Sequence, residues 1–280
     1  MKRLLRIPFL ALVAAATARA ESPAPKIALS VDGHLAPTAA PQALWRGEPV
    51  IVGVVLRHPD PDSKAPISLE PPEGGWATRV KIVVKDAGGA VVAWPFVVAG
   101  KPSGGALALQ PGAVTTLVLR IDAASLASLA KGRFRLVARL ELQDGRGWQG
   151  EVQSAAAEVD VIEPPAAPAG AELGRRQIRR VQDALLAGDF PRAEAAAGEM
   201  LFAGRERSEG WVALALVLEA KGQLREALSA IEKAIPLAAG ATAKEPGPVP
   251  PEYEDLRRRL EGLVADSDAK PGEPATPGPK

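Results

Sequence analysis

Gly188-Asp189-Phe190-Pro191-Arg192-Ala193 has a counterpart thirty-four residues later, Gly222-Gln223-Leu224-Arg225-Glu226-Ala227. In both stretches a glycine lies between two runs of helical pattern, and an alanine follows five residues after it. A period of this length is typical of a helix-turn-helix unit, which cannot bury its apolar face alone and stacks on its neighbours. The period therefore predicts a helical scaffold of the kind that binds other molecules.

The unit that starts at Ser208 resembles the tetratricopeptide repeat family, since its packing positions carry Trp211, Leu214, Ala215, Leu218, Gly222, Leu224, Ala227, Ile231 and Ala234. A less regular unit starts at Gly174 and keeps Val181, Ala184, Gly188, Phe190 and Ala193 in register. In this first unit Gln177 and Arg180 occupy positions where the family prefers Trp and Leu, and Ala197 replaces a large residue. The resemblance implies two antiparallel helix pairs.

Small residues have defined places in these units. Ala193 and Ala227 are expected where the two helices of a pair approach closely, because bulk there would push the helices apart. Gly188 and Gly222 are expected to end the first helix of each pair in a left-handed conformation. Two units are fewer than the three that stability usually requires. We expect a helix over residues 252–265, with an apolar stripe that includes Tyr253, to cap the second unit.

The resemblance also implies a protein partner, bound on the concave surface that the first helices of the pairs form. The expected groove residues are Arg175, Ile178, Arg179, Gln182, Leu185, Glu209, Val212, Leu216 and Glu219. Ile178 and Val212 replace the Lys and Asn that clamp a peptide carboxylate in co-chaperone members, so we expect an extended or helical segment of another protein. The alternative for Leu185 and Leu216 is that they are core residues.

The N-terminal half has a period of two instead. Alternating patterns occupy residues 26–31, 49–57, 79–86, 90–98, 114–121, 133–142 and 151–162. Seven short strands with turns between them predict two packed antiparallel sheets, although a closed barrel would show the same pattern. The stretch Gly132-Arg133-Phe134-Arg135-Leu136-Val137-Ala138 resembles the penultimate strand of bacterial immunoglobulin-like modules. Asp122 is expected to cap a short helix over residues 123–131.

The N-terminus has the pattern of a signal peptide. Lys2, Arg3 and Arg6 precede a ten-residue apolar run, and Ala18-Arg19-Ala20 provides the small residues of a cleavage site. We expect export from a bacterial cytoplasm with cleavage after Ala20, and a periplasmic or secreted mature protein. An uncleaved N-terminal anchor is the alternative.

Composition narrows the classes of partner. The formal net charge is +1, but removal of residues 1–20 takes away four of the 34 basic residues and none of the 33 acidic ones. The mature protein is then slightly acidic, which removes the main support for a nucleic-acid or anionic-membrane partner. The chain has no Cys, so it contains neither disulfides nor thiolate metal sites.

These patterns predict an α+β protein with separate domains. The expected divisions are a signal peptide over residues 1–20, an immunoglobulin-like β-sandwich over 21–162, a Pro/Ala linker over 163–171, helical hairpins with a capping helix over 172–265, and a disordered tail over 266–280.

No set of catalytic residues stands out in the sequence. The two histidines, His34 and His58, both lie near Gly or Pro, and the cluster His58-Pro59-Asp60-Pro61-Asp62 is expected to be a polar turn and not a metal site. We expect no enzyme activity, no cofactor and no metal.

The favoured function is an exported scaffold that binds another envelope protein through the helical units. The second hypothesis is binding of envelope carbohydrate. Trp76 and Trp148 adjoin glycine-rich turns and are expected to be exposed for sugar stacking, whereas Trp45 and Trp94 are expected in the core.

Overall fold

The computed structural model describes residues 23–100, 105–166, 170–205, 207–240 and 248–269. They form an N-terminal region rich in β-structure and a C-terminal region of five helices. Residues 26–162 are called the sheet region below, and residues 170–269 the helical region. The predicted signal peptide lies outside the described residues, as do residues 270–280 of the predicted tail.

The sheet region contains fourteen strands among the described residues. They are β1 (Lys26–Val31), β2 (His34–Leu35), β3 (Gln42–Trp45), β4 (Val50–Arg57), β5 (Ile67–Glu70), β6 (Val80–Asp86), β7 (Val91–Val92), β8 (Val97–Val98), β9 (Leu107–Leu109), β10 (Val114–Ile121), β11 (Gly132–Leu142), β12 (Arg146–Gly147), β13 (Gly150–Gln153) and β14 (Ala157–Ile162). A 3₁₀ turn covers Trp76–Arg79 and a short helix, α1, covers Ala123–Ser128.

Most of these strands belong to two sheets. The first has the order β2-β1-β4-β10-β8 and is antiparallel throughout. The second has the order β3-β14-β11-β6-β7, with β13 also paired to β11. Its pairs are antiparallel except for β3, which runs parallel to β14. A small third sheet has the order β12-β5-β9.

One apolar core serves all three sheets. Along β11 every second side chain from Phe134 to Leu142 is buried, as a period of two requires. These side chains form a single cluster with Leu29 of β1, Val52 of β4 and Leu69 of β5. Complete burial of an aliphatic side chain of this size contributes roughly 1.5–3 kcal/mol. The three sheets therefore pack around one shared cluster of buried side chains.

The predicted strands agree with the structure except where turns interrupt them. Strands over residues 26–31 and 114–121 are confirmed with the same bounds. The expected strand over 90–98 is split into β7 and β8, with Pro95 between them, since proline cannot donate to a sheet ladder. The expected strand over 151–162 is split into β13 and β14. The expected helix after Asp122 is confirmed, but it ends at Ser128.

The helical region consists of α2 (Gly170–Leu186), α3 (Phe190–Ala203), α4 (Ser208–Ala220), α5 (Leu224–Ala238) and α6 (Pro251–Ala269). Each helix packs against the next along the chain, and α2 also packs against α4. Helix α6 runs four residues beyond the predicted capping helix, so residues 266–269 are helical and not part of a disordered tail. Among the described residues, no helix has the length and apolarity needed to cross a membrane.

The thirty-four-residue period is visible in the backbone itself. Gly188 and Gly222 both have φ +75°. Each donates its N–H to the carbonyl three residues earlier, at 3.0 and 2.9 Å, and the next residue donates to the carbonyl five residues earlier, at 2.9 Å in both turns. This pattern is the Schellman motif, in which a left-handed glycine ends a helix. The two helix pairs therefore turn in the same way at equivalent positions.

The other residues predicted to pack the units are in the interior or at its edge. Ala193, Ala227, Ile231 and Ala234 are fully buried. Trp211 and Leu214 are partly buried and pack against the cluster that contains Ala227 and Ile231.

Candidate binding cleft

A cleft of about 1400 Å³ lies between the first sheet and helices α2, α4 and α6. Its floor includes Ser30 of β1, Ile51 and Gly53 of β4, and Thr116 and Val118 of β10. Side chains alternate along a strand, so these residues face away from the core that Leu29 and its neighbours fill. The outer face of the sheet and the first helix of each pair thus enclose one space.

Eight of the nine predicted groove residues line this cleft: Arg175, Ile178, Arg179, Gln182, Leu185, Glu209, Val212 and Leu216. Val212 is buried, whereas Ile178, Leu185 and Leu216 are half-buried and also pack against the helical clusters. These three side chains are therefore partly core and partly cleft wall.

Glu219 is the predicted groove residue that does not line the cleft. Its carboxylate pairs instead with Arg259 of α6, at 2.7 Å between Nη2 and Oε2. Arg259 itself lies at the cleft wall. The ion pair ties α6 to the second unit.

Helix α6 forms a further wall of the cleft, which the sequence pattern did not predict. It contributes Glu252, Tyr253, Asp255 and Leu256 as well as Arg259. Tyr253 and Leu256 are buried in the same cluster as Val212, and burial raises the pKa of the Tyr253 hydroxyl. The prediction treated this helix only as a cap. The sequence did contain a signal for this role: a helix that follows a complete helix pair stands where the first helix of a further unit would be.

Arg179 is held inside the molecule and does not offer its charge to a partner, contrary to expectation. Its Nη1 lies 3.3 Å from Oδ2 of Asp32, whose side chain is only 1% exposed. Oδ1 of Asp32 accepts the backbone N–H of Ile51 at 2.9 Å. Burial raises the pKa of the Asp32 carboxyl, and Arg179 and the Ile51 N–H partly oppose this effect. The ion pair therefore joins α2 to the turn after β1.

A second contact joins α2 to the turn between β3 and β4. Arg180 donates from Nε and Nη2 to the buried carboxylate of Glu48, at 3.0 and 2.7 Å, and these hydrogen bonds raise the pKa of Arg180. Arg176 lies 4.0 Å from the same carboxylate, and its guanidinium carbon is 3.1 Å from the ring centroid of Trp45. Burial lowers the pKa of Arg176. Cation–π and bidentate contacts of this kind suit the planar guanidinium.

A third contact has the opposite polarity. Arg120 of β10 donates to the buried carboxylate of Asp183 on α2, at 3.0 Å. Arg120 pairs with Ile51 in the sheet register, and Asp32 donates its N–H to Ile51 from the other side. The sheet thus places Asp32 and Arg120 on either side of Ile51, and α2 places Arg179 and Asp183 one turn apart. Arg179 pairs with Asp32, and Asp183 pairs with Arg120.

The residues of α2 that make these contacts occupy special positions in the repeat. Arg176, Arg179 and Asp183 are equivalent, thirty-four residues apart, to Gly210, Ala213 and Val217 in α4. Ala213 and Val217 share a buried cluster with α3 residues, and a Cβ on Gly210 would lie 3.1 Å from Leu201 of α3. The second unit thus uses these positions to pack on a preceding helix pair. In the first unit the sheet region takes the place of that pair, and the positions are charged.

The expectation that Trp76 and Trp148 are exposed is wrong. Their exposed fractions are 3% and 4%, and both belong to the core of the sheet region. The backbone N–H of Trp148 donates to the carbonyl of Ser68 at 2.8 Å, next to the pairing of β12 with β5. Its indole packs against Gly150, where a Cβ would lie 3.1 Å from the ring. Trp148 directly follows β12 of the short third sheet, and the sequence pattern did not reveal that sheet.

The polar cluster after β4 is a turn, as predicted. The backbone N–H of Asp60 donates to Nδ1 of the buried His58 at 3.1 Å, and Asp62 donates its N–H to the Asp60 carboxylate at 2.9 Å. In the part of the chain that the structure describes, no three His, Asp or Glu side chains are grouped so as to hold a metal ion. His34 is exposed and lies at the edge of the cleft.

No model of a known protein family matches the sequence, and no curated protein matches it either. Among solved structures, a family 123 glycoside hydrolase from Clostridium perfringens aligns with a TM-score of 0.30 and 9% identity, over 53% of this chain and 29% of that one. A Salmonella enterica SafA pilin in complex with the SafB chaperone aligns with a TM-score of 0.25 and 13% identity, over 50% of this chain and 56% of that one. The chain thus spans less than two thirds of either structure, and the likeness carries no functional argument.

Proposed function

We propose that this protein is an exported, non-enzymatic adaptor that holds a segment of another cell-envelope protein in the cleft. One observation carries the proposal: eight of the residues that the repeat resemblance implied for partner binding line a single open space. Export rests on the N-terminal sequence pattern alone.

The proposal includes the finer identity of the two regions. The matching glycine turns and the pairwise packing of successive helices support tetratricopeptide-like units closed by α6. Two main sheets with separate edges and a shared core support an immunoglobulin-like sandwich over a closed barrel.

The size and lining of the cleft favour a peptide segment as its occupant. Pockets for small molecules usually measure roughly 300–1000 Å³, and this cleft measures about 1400 Å³. Ile178, Leu185 and Leu216 offer half-buried apolar surface on the helical wall, and Ile51 and Val118 do so on the floor. Concave helical surfaces of this kind bind extended or amphipathic segments.

Two charged side chains of the cleft that are not in close ion pairs among the described residues indicate which segment would fit. Arg179, Glu209 and Arg259 already lie in ion pairs within the protein. Arg175 is 70% exposed and has only a 3.9 Å contact with Glu172, and Glu252 is exposed at the opposite wall. We therefore propose an apolar segment with an acidic residue toward Arg175 and a basic residue toward Glu252.

Site-specific crosslinking in the native envelope tests the proposal. A photoreactive amino acid at Gln182, inside the cleft, should yield an adduct with an exported protein, whereas the same group at Ser229, exposed on α5, should not. The crosslinked peptide, made synthetically, should bind the purified protein, and Arg175→Glu should weaken its affinity at least tenfold. Arg225→Glu, at an exposed arginine outside the cleft, is the matched control.

Two results would contradict the proposal. One is equal crosslinking from positions 182 and 229. The other is an affinity that Arg175→Glu and Arg225→Glu change equally. Carbohydrate binding is not retained as a second candidate, because the two tryptophans that it required are buried.

A further inference from the structure

The two regions are joined across the cleft by charged contacts and not by an apolar core. The buried apolar residues of the sheet region form one cluster, and those of the helical region form two others. Among the described residues, none of these clusters contains side chains from both regions. Interfaces of this polar type are typical of domains that move relative to one another.

The charged contacts lie on one face of α2. Arg176, Arg179 and Arg180 contact Asp32 and Glu48 of the sheet region. This set of five residues is called the arginine latch below. It lies along the same helix that forms one wall of the cleft.

The latch leaves some of its polar atoms unsatisfied. Oδ2 of Asp32 and Nε and Nη2 of Arg176 are buried without a hydrogen-bond partner among the described residues. A buried charged group that lacks hydrogen bonds costs free energy, which water recovers when the group is exposed. The closed arrangement therefore gains less from its ion pairs than their number implies, and opening would expose these atoms to solvent.

We propose that the arginine latch is a release device that sets the width of the cleft. With the latch formed, α2 lies against the first sheet and the cleft is narrow. Without it, Arg120–Asp183 is the one ion pair left between the first sheet and α2 among the described residues, and the two regions separate while each keeps its own apolar core. The role of this motion in partner entry rests on the proposed function, but the motion itself does not require a partner.

Distance measurements between spin labels test the latch on the full chain. The sequence has no Cys, so cysteines introduced at Lys85 and Glu232, both exposed, are the only labelling sites. The otherwise unaltered protein should give one narrow distance distribution. Arg179→Gln removes the ion pair with Asp32, and Glu48→Gln removes those with Arg176 and Arg180. Both variants should broaden the distribution toward longer distances and raise the radius of gyration in X-ray scattering. Arg225→Gln, at an exposed ion pair within the helical region, should leave both unchanged.

The two latch variants make the test independent of any one substitution. Circular dichroism would show which variants keep their secondary structure. One folded latch variant is sufficient for the comparison. A folded latch variant with the unaltered narrow distribution and radius of gyration would overturn the proposal. If the latch variants give longer distances but position 182 yields no adduct, the latch is supported and the adaptor function is rejected. If position 182 yields an adduct but the distances do not change, the adaptor function is supported and the latch is rejected.

Discussion

Two aspartates of the sheet region differ in the direction of their pKa shifts, and their surroundings explain the difference. Asp32 is buried beneath α2, so desolvation raises its pKa although Arg179 is nearby. Asp122 is near solvent at the start of α1, and its pKa is lowered because the carboxylate accepts the backbone N–H of Ser125 at 2.8 Å. Hydrogen bonds to the charged form stabilise it, whereas burial does the opposite.

The cap at Asp122 leads to a prediction about stability and pH. Asp122→Ala should lower the free energy of unfolding at neutral pH by about 1 kcal/mol, since the first turn of α1 loses its acceptor. The folded pKa of Asp122 lies below its unfolded pKa, so the contribution of its charge is present above the unfolded pKa and is lost as the pH falls through the folded pKa. Asp122→Asn keeps an acceptor but does not titrate. Urea unfolding should show the stability advantage of Asp over Asn shrinking in acid, and a difference that is independent of pH would contradict this.

Some of these residue roles follow from sequence and others do not. The cap at Asp122 and the turns at Gly188 and Gly222 depend on neighbours within five residues, and sequence predicts them. The partners of Arg179 and Arg180 are more than 130 residues away in the chain. No local spacing connects such residues, so the sequence predicted that Arg179 lies in the groove but not that Asp32 neutralises its charge there.

At the scale of the helix pair, small residues set how closely two helices pack. Ala227 is fully buried in the cluster between α4, α5 and α6. Ala227→Leu should lower the free energy of unfolding of the helical region by roughly 1–3 kcal/mol, because the added atoms force the helices apart. Thermal unfolding followed by circular dichroism would measure this. Glu226→Leu, at the exposed neighbouring position, is the control, and equal melting temperatures for the two variants would reject the packing role.

Long elements were predictable and short ones were not. Strand β11 has eleven residues of alternating pattern, and α2 and α4 show their repeat through the glycine turns. The strands of the third sheet have two to four residues each, too few for alternation to stand out. The error about Trp148 came from missing that sheet, because Trp148 follows β12 directly and its backbone N–H donates to Ser68 of β5.

At the scale of the whole molecule, the sheet region and the helical region share no apolar cluster among the described residues, which predicts two unfolding transitions. Calorimetry of the full chain should give a van't Hoff enthalpy below the calorimetric one, as expected when two units unfold separately. Leu56→Ala should lower the temperature of one transition and Ile231→Ala that of the other, since each leaves a cavity in a different core at a cost of roughly 2–5 kcal/mol. A single transition that both substitutions shift as a whole would show that the regions unfold together.

The charged face of α2 also limits how this protein could lengthen during evolution. Repeat proteins grow when a unit is duplicated and the copy stacks on its parent. In α4, Gly210, Ala213 and Val217 pack against α3. A copy of the second unit, inserted before α6, would pack the same three residues against α5 in the same way. A copy of the first unit would bring Arg176, Arg179 and Asp183 into the same dry interface without their partners. New units can therefore be added beside α6, while the end at α2 is committed to the sheet region.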